Sequence, residues 1–390
     1  MPPATTIVNA KVFDGSILRD WTSLRLVDGL IAECSAADVS QGGDTVIDAA
    51  GGTVLPGLID AHVHLLPGAL EQSLTFGVTT VLDMFSKPDV VARARQQAST
   101  HLDVADVRSS GIGATAPGGH PSLIYAPFPS LTVAEQAGAF VADRIAEGAD
   151  FLKIFSGVGG LWPSLDSETI AALVDSAHQR GLAVVAHVSS VAGVRQVVSA
   201  GVDVLAHVPA DAVLEVELVK RMADTGVVVG PTLAILEHTF GDAARGRRPY
   251  ATAEENVRRL AAAGVGLLAG TDAPNPGFLF GAGLHRELEL LVQCGLSPAE
   301  ALTAATSGPA RAFDLNDRGR VAVGARADLL LISGDPLVNI SDIRAIERIW
   351  RGGTELERRD YMATGAEAEE LDAFNERVAG AVAAVRDRRG

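Results

Sequence analysis

The sequence predicts an α/β protein whose middle forms a (β/α)8 barrel and whose two ends form a small β-sandwich domain. Two patterns carry that expectation. Across residues 56–320, short apolar stretches alternate with segments of helical hydrophobic period, the mark of parallel strands covered on both faces. Outside that span both ends show short strand-like runs, and 390 residues exceed the about 250 that one such barrel fills.

Taken in order, residues 5–12 (TTIVNAKV) and 23–33 (SLRLVDGLIAE) read as strands, the second folding back at Asp28-Gly29. At the other end Ala327 to Ser333 and Ile343 to Arg351 are strand-like, so 1–55 and 321–362 are expected to pair into one β domain. The barrel strands are expected at 54–63, 79–84, 107–112, 150–155, 182–188, 202–208, 227–233 and 265–272. Val191, Val194, Val197 and Val198 mark the helix after the fifth; Val213, Val216, Leu218 and Met222 mark the one after the sixth. Eight such units favour closure into a TIM-like barrel over an open sheet. The last segment, 363–390, alternates acidic and basic residues around Leu371, Phe374, Val378 and Val382. It reads as an amphipathic helix that packs on the barrel or on a second copy of the chain in a homo-oligomer.

Composition narrows the classes of function. Apolar residues make up 47% and charged residues 21%, which suits a packed globule. A net charge of −16 disfavours nucleic acid and anionic membrane as partners, leaving a small-molecule substrate. Cys34 and Cys294 form no metal-binding or redox spacing and read as reduced thiols of a cytoplasmic protein. No leader-like opening and no apolar run of membrane-spanning length is visible.

The chemistry is concentrated where the expected strands end. The first ends in His62-Val63-His64, the fourth carries Lys153, the fifth His187, the sixth His207 and the eighth Asp272. Alternation along a strand places His62 and His64 on one face, within reach of one ion. His187 and His207 hold equivalent places in VVAHV and VLAHV, which sets them side by side. Imidazoles with a carboxylate suit zinc before manganese, cobalt or iron. Singly, each residue has a plainer reading: a satisfied strand-end histidine, a helix cap at Asp272, a snorkelling Lys153. Their recurrence at successive strand ends, where this fold places its active sites, favours a metal site.

These residues carry a family resemblance. Residues 55–65 (LPGLIDAHVHL) are similar to the opening motif of the amidohydrolase superfamily. Gly77-Val78-Thr79-Thr80-Val81, Leu152-Lys153-Ile154, Gly270-Thr271-Asp272-Ala273 and Ser297-Pro298-Ala299-Glu300-Ala301-Leu302 extend the likeness, and residues 324–329 with 334–337 resemble its closing segment. The pattern resembles most the imidazolonepropionase-related branch, whose binuclear members include dipeptidases, carboxypeptidases and hydrolases of ureas and carbamates. The resemblance implies two divalent ions: His62, His64 and Asp272 on the more buried, His187 and His207 on the other, with Lys153 bridging as its carbamate. It implies hydrolysis of an amide-type C–N bond or an ester through a metal-bridging hydroxide, Asp272 acting as proton shuttle. The alternatives are a one-ion deaminase or cyclic-imidate hydrolase, against which Lys153 counts, and a non-catalytic barrel, which would have lost ligands.

Departures from the branch fall around substrate rather than metal. Gly118-Gly119-His120 is followed by Pro121, Ser189-Ser190 follow the fifth-strand histidine, and Ala206 stands where a glutamate commonly precedes the sixth. His120 is a candidate catalytic group, polarising the substrate carbonyl, or a member of a loop. His120, Tyr125, His238 and Arg248 are the candidate substrate contacts. Arg245, Arg247, Arg248 and Tyr250 read either as a carboxylate-binding patch or as a solvated loop. His101, His178 and His285 read as structural.

Overall fold

The computed structural model describes residues 4–157, 162–241, 248–275, 277–278, 280–359 and 361–389. Strands from both chain ends interleave. Thr5–Val8 pairs antiparallel with Ser23–Val27 and parallel with Thr45–Asp48, and Ser23–Val27 turns back into Leu30–Ser35. That turn has positive φ at both Asp28 (49°) and Gly29 (82°), the backbone that matches the twist of a tight hairpin. A second, six-stranded sheet runs Thr354–Glu355, Ile346–Arg351, Leu329–Ile332, Thr53–Pro56, Lys11–Phe13, Leu18–Arg19. Ile7, Leu24, Ile31, Val54, Leu329 and Trp350 belong to one apolar cluster drawn from both sheets.

The middle of the chain supplies parallel strands. Asp106–Ser109, Val78–Asp83 and Leu58–Val63 form one sheet; Leu152–Phe155, Val184–His187, Val204–Ala206 and Val228–Gly230 form another. Isolated parallel bridges link them: Ala114 with Ile154, Val229 with Leu267, Val63 with Ala273. Between these strands run amphipathic helices such as Pro88–Thr100, Ser167–His178 and Val191–Ala200, whose Val194 and Val197 are fully buried. Sequence sets their ends. Asp166 and Ser190 accept from the main-chain N–H of Thr169 and Gly193, and Gly201 ends its helix at φ 84°. Among the described residues no helix is long and apolar enough to cross a membrane.

Several boundaries differ from the sequence pattern. The stretch 54–63 is two strands, because Thr53–Pro56 pairs in the six-stranded sheet and Leu58–Val63 in the parallel one; at the switch Gly57 lies against Thr79, where a Cβ would come within 2.3 Å of its side chain. Residues 5–12 break at Asn9, which adopts φ 55°, a conformation asparagine tolerates. The span 265–272 makes bridges rather than a continuous strand. Val213 precedes the helix Val216–Thr225, and Val216 is 71% exposed; Leu218, Val219 and Met222 form its buried face, the chain being still extended at Glu215 (ψ 149°).

Candidate active site

The four-stranded sheet runs in register, Phe155 opposite His187 and His187 opposite Ala206, so the C-terminal ends of its strands share one level. His187 closes its strand, while His207 follows the next one in the left-handed conformation (φ 72°). Lys153 pairs with Val185, two residues further in, which buries it. Beside the first parallel strand, Asp272 N–H donates to the His62 carbonyl (2.8 Å), next to the bridge between Val63 and Ala273.

The side chains converge. Nε2 of both His62 and His64 lies 3.1 Å from one oxygen of Asp272, and ligating atoms of these three residues all fall within 4.8 Å of one another. The His207 ring is 4.8 Å from that of His62 and 4.7 Å from that of His187. His120 stacks on His187, centroids 4.5 Å apart and planes 22° apart. Tyr125 lies 5.9 Å from His64. The sequence-predicted set His62, His64, Asp272, His187, His207, His120 and Tyr125 is therefore one cluster. Lys153 Nζ is buried among them without a hydrogen-bond partner, as is His64 Nδ1.

Burial sets the protonation. It holds His62 and His187 well below the ordinary imidazole range, with Lys153 and His120 respectively adding to the effect. It lowers His207 and His120 to about 4, leaving lone pairs free for a cation at neutral pH. Burial also lowers the Lys153 amine to about 7, against the pull of Asp272. For Asp272 burial pushes upward, but His62 and His207 outweigh it and keep the carboxylate ionised.

Other predicted contacts fall differently. His238 sits on the helix Leu233–Phe240, its ring 5.6 Å from that of Phe278. Arg245 and Arg247 lie outside the described residues, as does the side chain of Arg248, which opens the helix Arg248–Ala262. His285 is buried and bonded to the Phe76 carbonyl (2.9 Å), and His178 meets Asp203 (2.9 Å), both structural as expected. Ser190, one of the departures from the family pattern, serves as a helix cap.

Four supporting residues escape the sequence reading. Asp60 accepts from Thr271 Oγ1 (2.7 Å), Thr271 N (3.0 Å) and His62 N (3.1 Å), pinning both arms of the histidine–aspartate cluster. Asp83 ends the second parallel strand and holds Leu65 N and Ser86 Oγ. Thr232 Oγ1 is 2.7 Å from His207 Nδ1, orienting that ring so that Nε2 is free. Glu287 accepts from Leu233 N (3.0 Å) and Ala234 N (2.7 Å), fixing the helix start beside Thr232. A carboxylate inside an apolar strand, as at Asp60 and Asp83, was the visible signal; nothing local marks Thr232 or Glu287.

Comparison with known proteins agrees with this geometry. The family model described as "Amidohydrolase family" matches residues 53–356. An imidazolonepropionase of Anaeromyxobacter sp. (strain K) is 30% identical over 350 residues, covering 76% of this chain and 79% of that protein. An enamidase of Eubacterium barkeri is 26% identical over 351 residues, covering 81% and 82%. The crystal structure of a Xaa-Pro dipeptidase with bound methionine superposes with TM-score 0.78 at 22% identity, over 91% of this chain and all of that one, a likeness of fold. The chain thus belongs to the amidohydrolase family and is a hydrolase of carbon–nitrogen bonds.

Proposed function

We propose that this protein is a binuclear metal-dependent hydrolase of a small molecule, cleaving a peptide-like, N-acyl amino acid, carbamate or urea bond, or an ester. The observation that carries this reading is Lys153: a buried amine with no hydrogen-bond partner, ringed by neutral imidazoles and one carboxylate. An unpaired buried amine is costly, and an ammonium offers a cation no lone pair. Addition of carbon dioxide forms an N–C bond, releases a proton to solvent and yields a carbamate that ligates as a carboxylate does.

On this reading His62, His64 and Asp272 would hold one ion, His187 and His207 a second, and carbamylated Lys153 would lie between them. Zinc fits this donor set best. Such ions, when bound, polarise a scissile carbonyl and acidify water. Asp272 takes the proton of the attacking water and passes it to the leaving nitrogen. Neutral His120, held by its stack on His187, donates a hydrogen bond to the carbonyl oxygen as charge develops there. Phe85, Tyr125, Phe128 and Phe155 line one side as a linked aromatic group, excluding water and taking an apolar part of the substrate.

The same reading treats residues 56–320 as one closed barrel, supported by the bridges at Ala114, Leu267 and Ala273. Residues 1–55 with 321–362 would form the sandwich domain and 363–390 an appended helix.

Elemental analysis of the purified protein and of His62→Ala and His187→Ala, with turnover of N-acyl amino acids, dipeptides, carbamates and ureas, tests the proposal. Two ions per chain are expected, with fewer in each variant. One ion in the unaltered protein sinks the binuclear reading in favour of a one-ion deaminase or cyclic-imidate hydrolase. Undiminished metal in both variants sinks the ligand assignment.

A further inference from the structure

A cavity of about 730 Å³ lies at the opposite end of the parallel strands from the imidazole cluster. It opens beside Val228, the first residue of its strand, and beside residues 264–268, whose chain runs on to Asp272 at the other end. The helices Arg248–Ala262, Pro298–Ala304 and Ser307–Ala312 supply its walls. Val265, Leu267, Leu268, Cys294 and Ala304, each at most 9% exposed, give it an apolar floor. Its volume falls within the about 300–1,000 Å³ of small-molecule sites.

Two features of the lining are unmatched by the chain itself. The first is a main-chain donor. Val229 N donates to Gly266 O and Leu268 N to Val229 O, both at 2.9 Å, so one side of this segment pairs with the neighbouring strand. Ala269 N, on the other side, donates to Ala304 O (2.7 Å). Alternation turns Leu267 N to the same side as Ala269 N, and among the described residues it donates to no group. The second is positive charge. Arg311 bonds the Ser307 hydroxyl (2.9 Å) and has no ion pair among the described residues. Arg258 lies 3.5 Å from Glu254, longer than a charge-assisted hydrogen bond. The carboxylate of Glu300, also in the lining, is already taken by Ser297 N and Oγ, each at 2.7 Å.

We propose that this cavity is a second small-molecule site, separate from the imidazole cluster, and that it binds a carboxylate carrying an apolar chain. The chain lies on the apolar floor, and the carboxylate oxygens supply the acceptors that Arg311, Arg258 and Leu267 N lack. A guanidinium suits that head group because its planar fork pairs with a carboxylate through two parallel hydrogen bonds. The site stands whether or not the imidazole cluster hydrolyses an amide.

Calorimetric titration of the zinc-loaded protein with octanoate and with octanamide tests the assignment. Octanoate is expected to bind about tenfold more tightly than octanamide. Arg311→Gln should weaken octanoate about tenfold and leave octanamide unchanged, and the double variant Arg258→Gln, Arg311→Gln should abolish the preference. His187→Ala, at the other end of the strands, should leave octanoate binding unchanged, which separates this cavity from a carboxylate held by metal. Equal affinity for the two probes, binding of neither, or octanoate binding that is lost in His187→Ala and kept in the double variant overturns the proposal. So does a dimer of this chain that covers the cavity and excludes octanoate.

Discussion

Two clusters of buried ionisable groups sit at opposite ends of the parallel strands, and their wiring differs. At the N-terminal end, Asp106 accepts from Arg318 (2.5 Å) and Arg326 (2.8 Å), and Asp328 accepts from Arg326 and from Gly352 N (2.7 Å). Arg351 reaches the carbonyls of His101 (2.6 Å) and Ala98 (2.9 Å). At the C-terminal end, two imidazoles crowd one oxygen of Asp272, Lys153 Nζ and His64 Nδ1 have no partner, and His207, Thr232 and Asp272 all take positive φ. Burying a charge is costly unless the chain supplies its counter-charge. Where it does, the cluster is structural: Asp106 fastens the strand region to residues 318–351, which return to the terminal sheets. Arg351 Nε also lacks a partner at the first end, but its guanidinium is otherwise held by two carbonyls; where an amine and an imidazole are unmatched around one carboxylate and the backbone is strained, the cluster is built to bind.

The sharpest way to break this contrast is at Lys153. Lys153→Ala should remove the link between the two proposed ions, lower metal content and reduce turnover about 10³-fold or more, with folding intact. Formate or acetate should restore part of the activity in a concentration-dependent way. Full activity and full metal in the variant would make Lys153 a structural residue like those at the other end.

Asp106→Asn should have the complementary effect. It leaves Arg318, 3% exposed, with Asp317 as its remaining carboxylate, at a cost of about 1–3 kcal/mol, without change in metal content. Thermal unfolding and elemental analysis read the two outcomes separately. A loss of metal with stability preserved would reverse the assignments of the two ends.

The smallest effect is in pH, and its sign differs between the ends. Burial pushes Asp106 up, but Arg318 and Arg326 outweigh it and hold it well below the usual carboxylate range. Its stabilisation is therefore present above the unfolded value near ~4 and is lost as pH falls below that. Glu287 is the reverse case: burial pushes it up to about 8, against the two N–H donors. Its contribution is present below the unfolded value of about 4.3 and is lost as pH rises toward about 8. In metal-free protein, Glu287→Gln should flatten the decline of Tm between pH 5 and 8, and Asp106→Asn the decline between pH 4 and 2. Each change is expected to be about 2–4 °C, the equivalent of about 1 kcal/mol. Unaltered slopes in both variants would remove the electrostatic distinction.

The sequence by itself determined the α/β order, the hairpin at Asp28-Gly29, the pairing of the two ends and the residues of the cluster, because each rests on a local signal. Histidines two apart on one strand must share a face, and matching VVAHV and VLAHV stretches must present theirs together when their strands pair in register. Tertiary structure alone decided what has no local signal. What reads as one strand divides at Gly57 because its two halves pair with different partners, Leu329–Ile332 and Lys11–Phe13 on one side and Val78–Asp83 on the other. Thr232 and Glu287 support His207 through contacts spanning 25 and 54 residues. The C-terminal helix Ala366–Arg389 reads as amphipathic, but its packing on the short helix Ser122–Tyr125 is a contact between distant segments. Local pattern records which side chains share a face; close approach between distant segments depends on packing, which a periodicity does not encode.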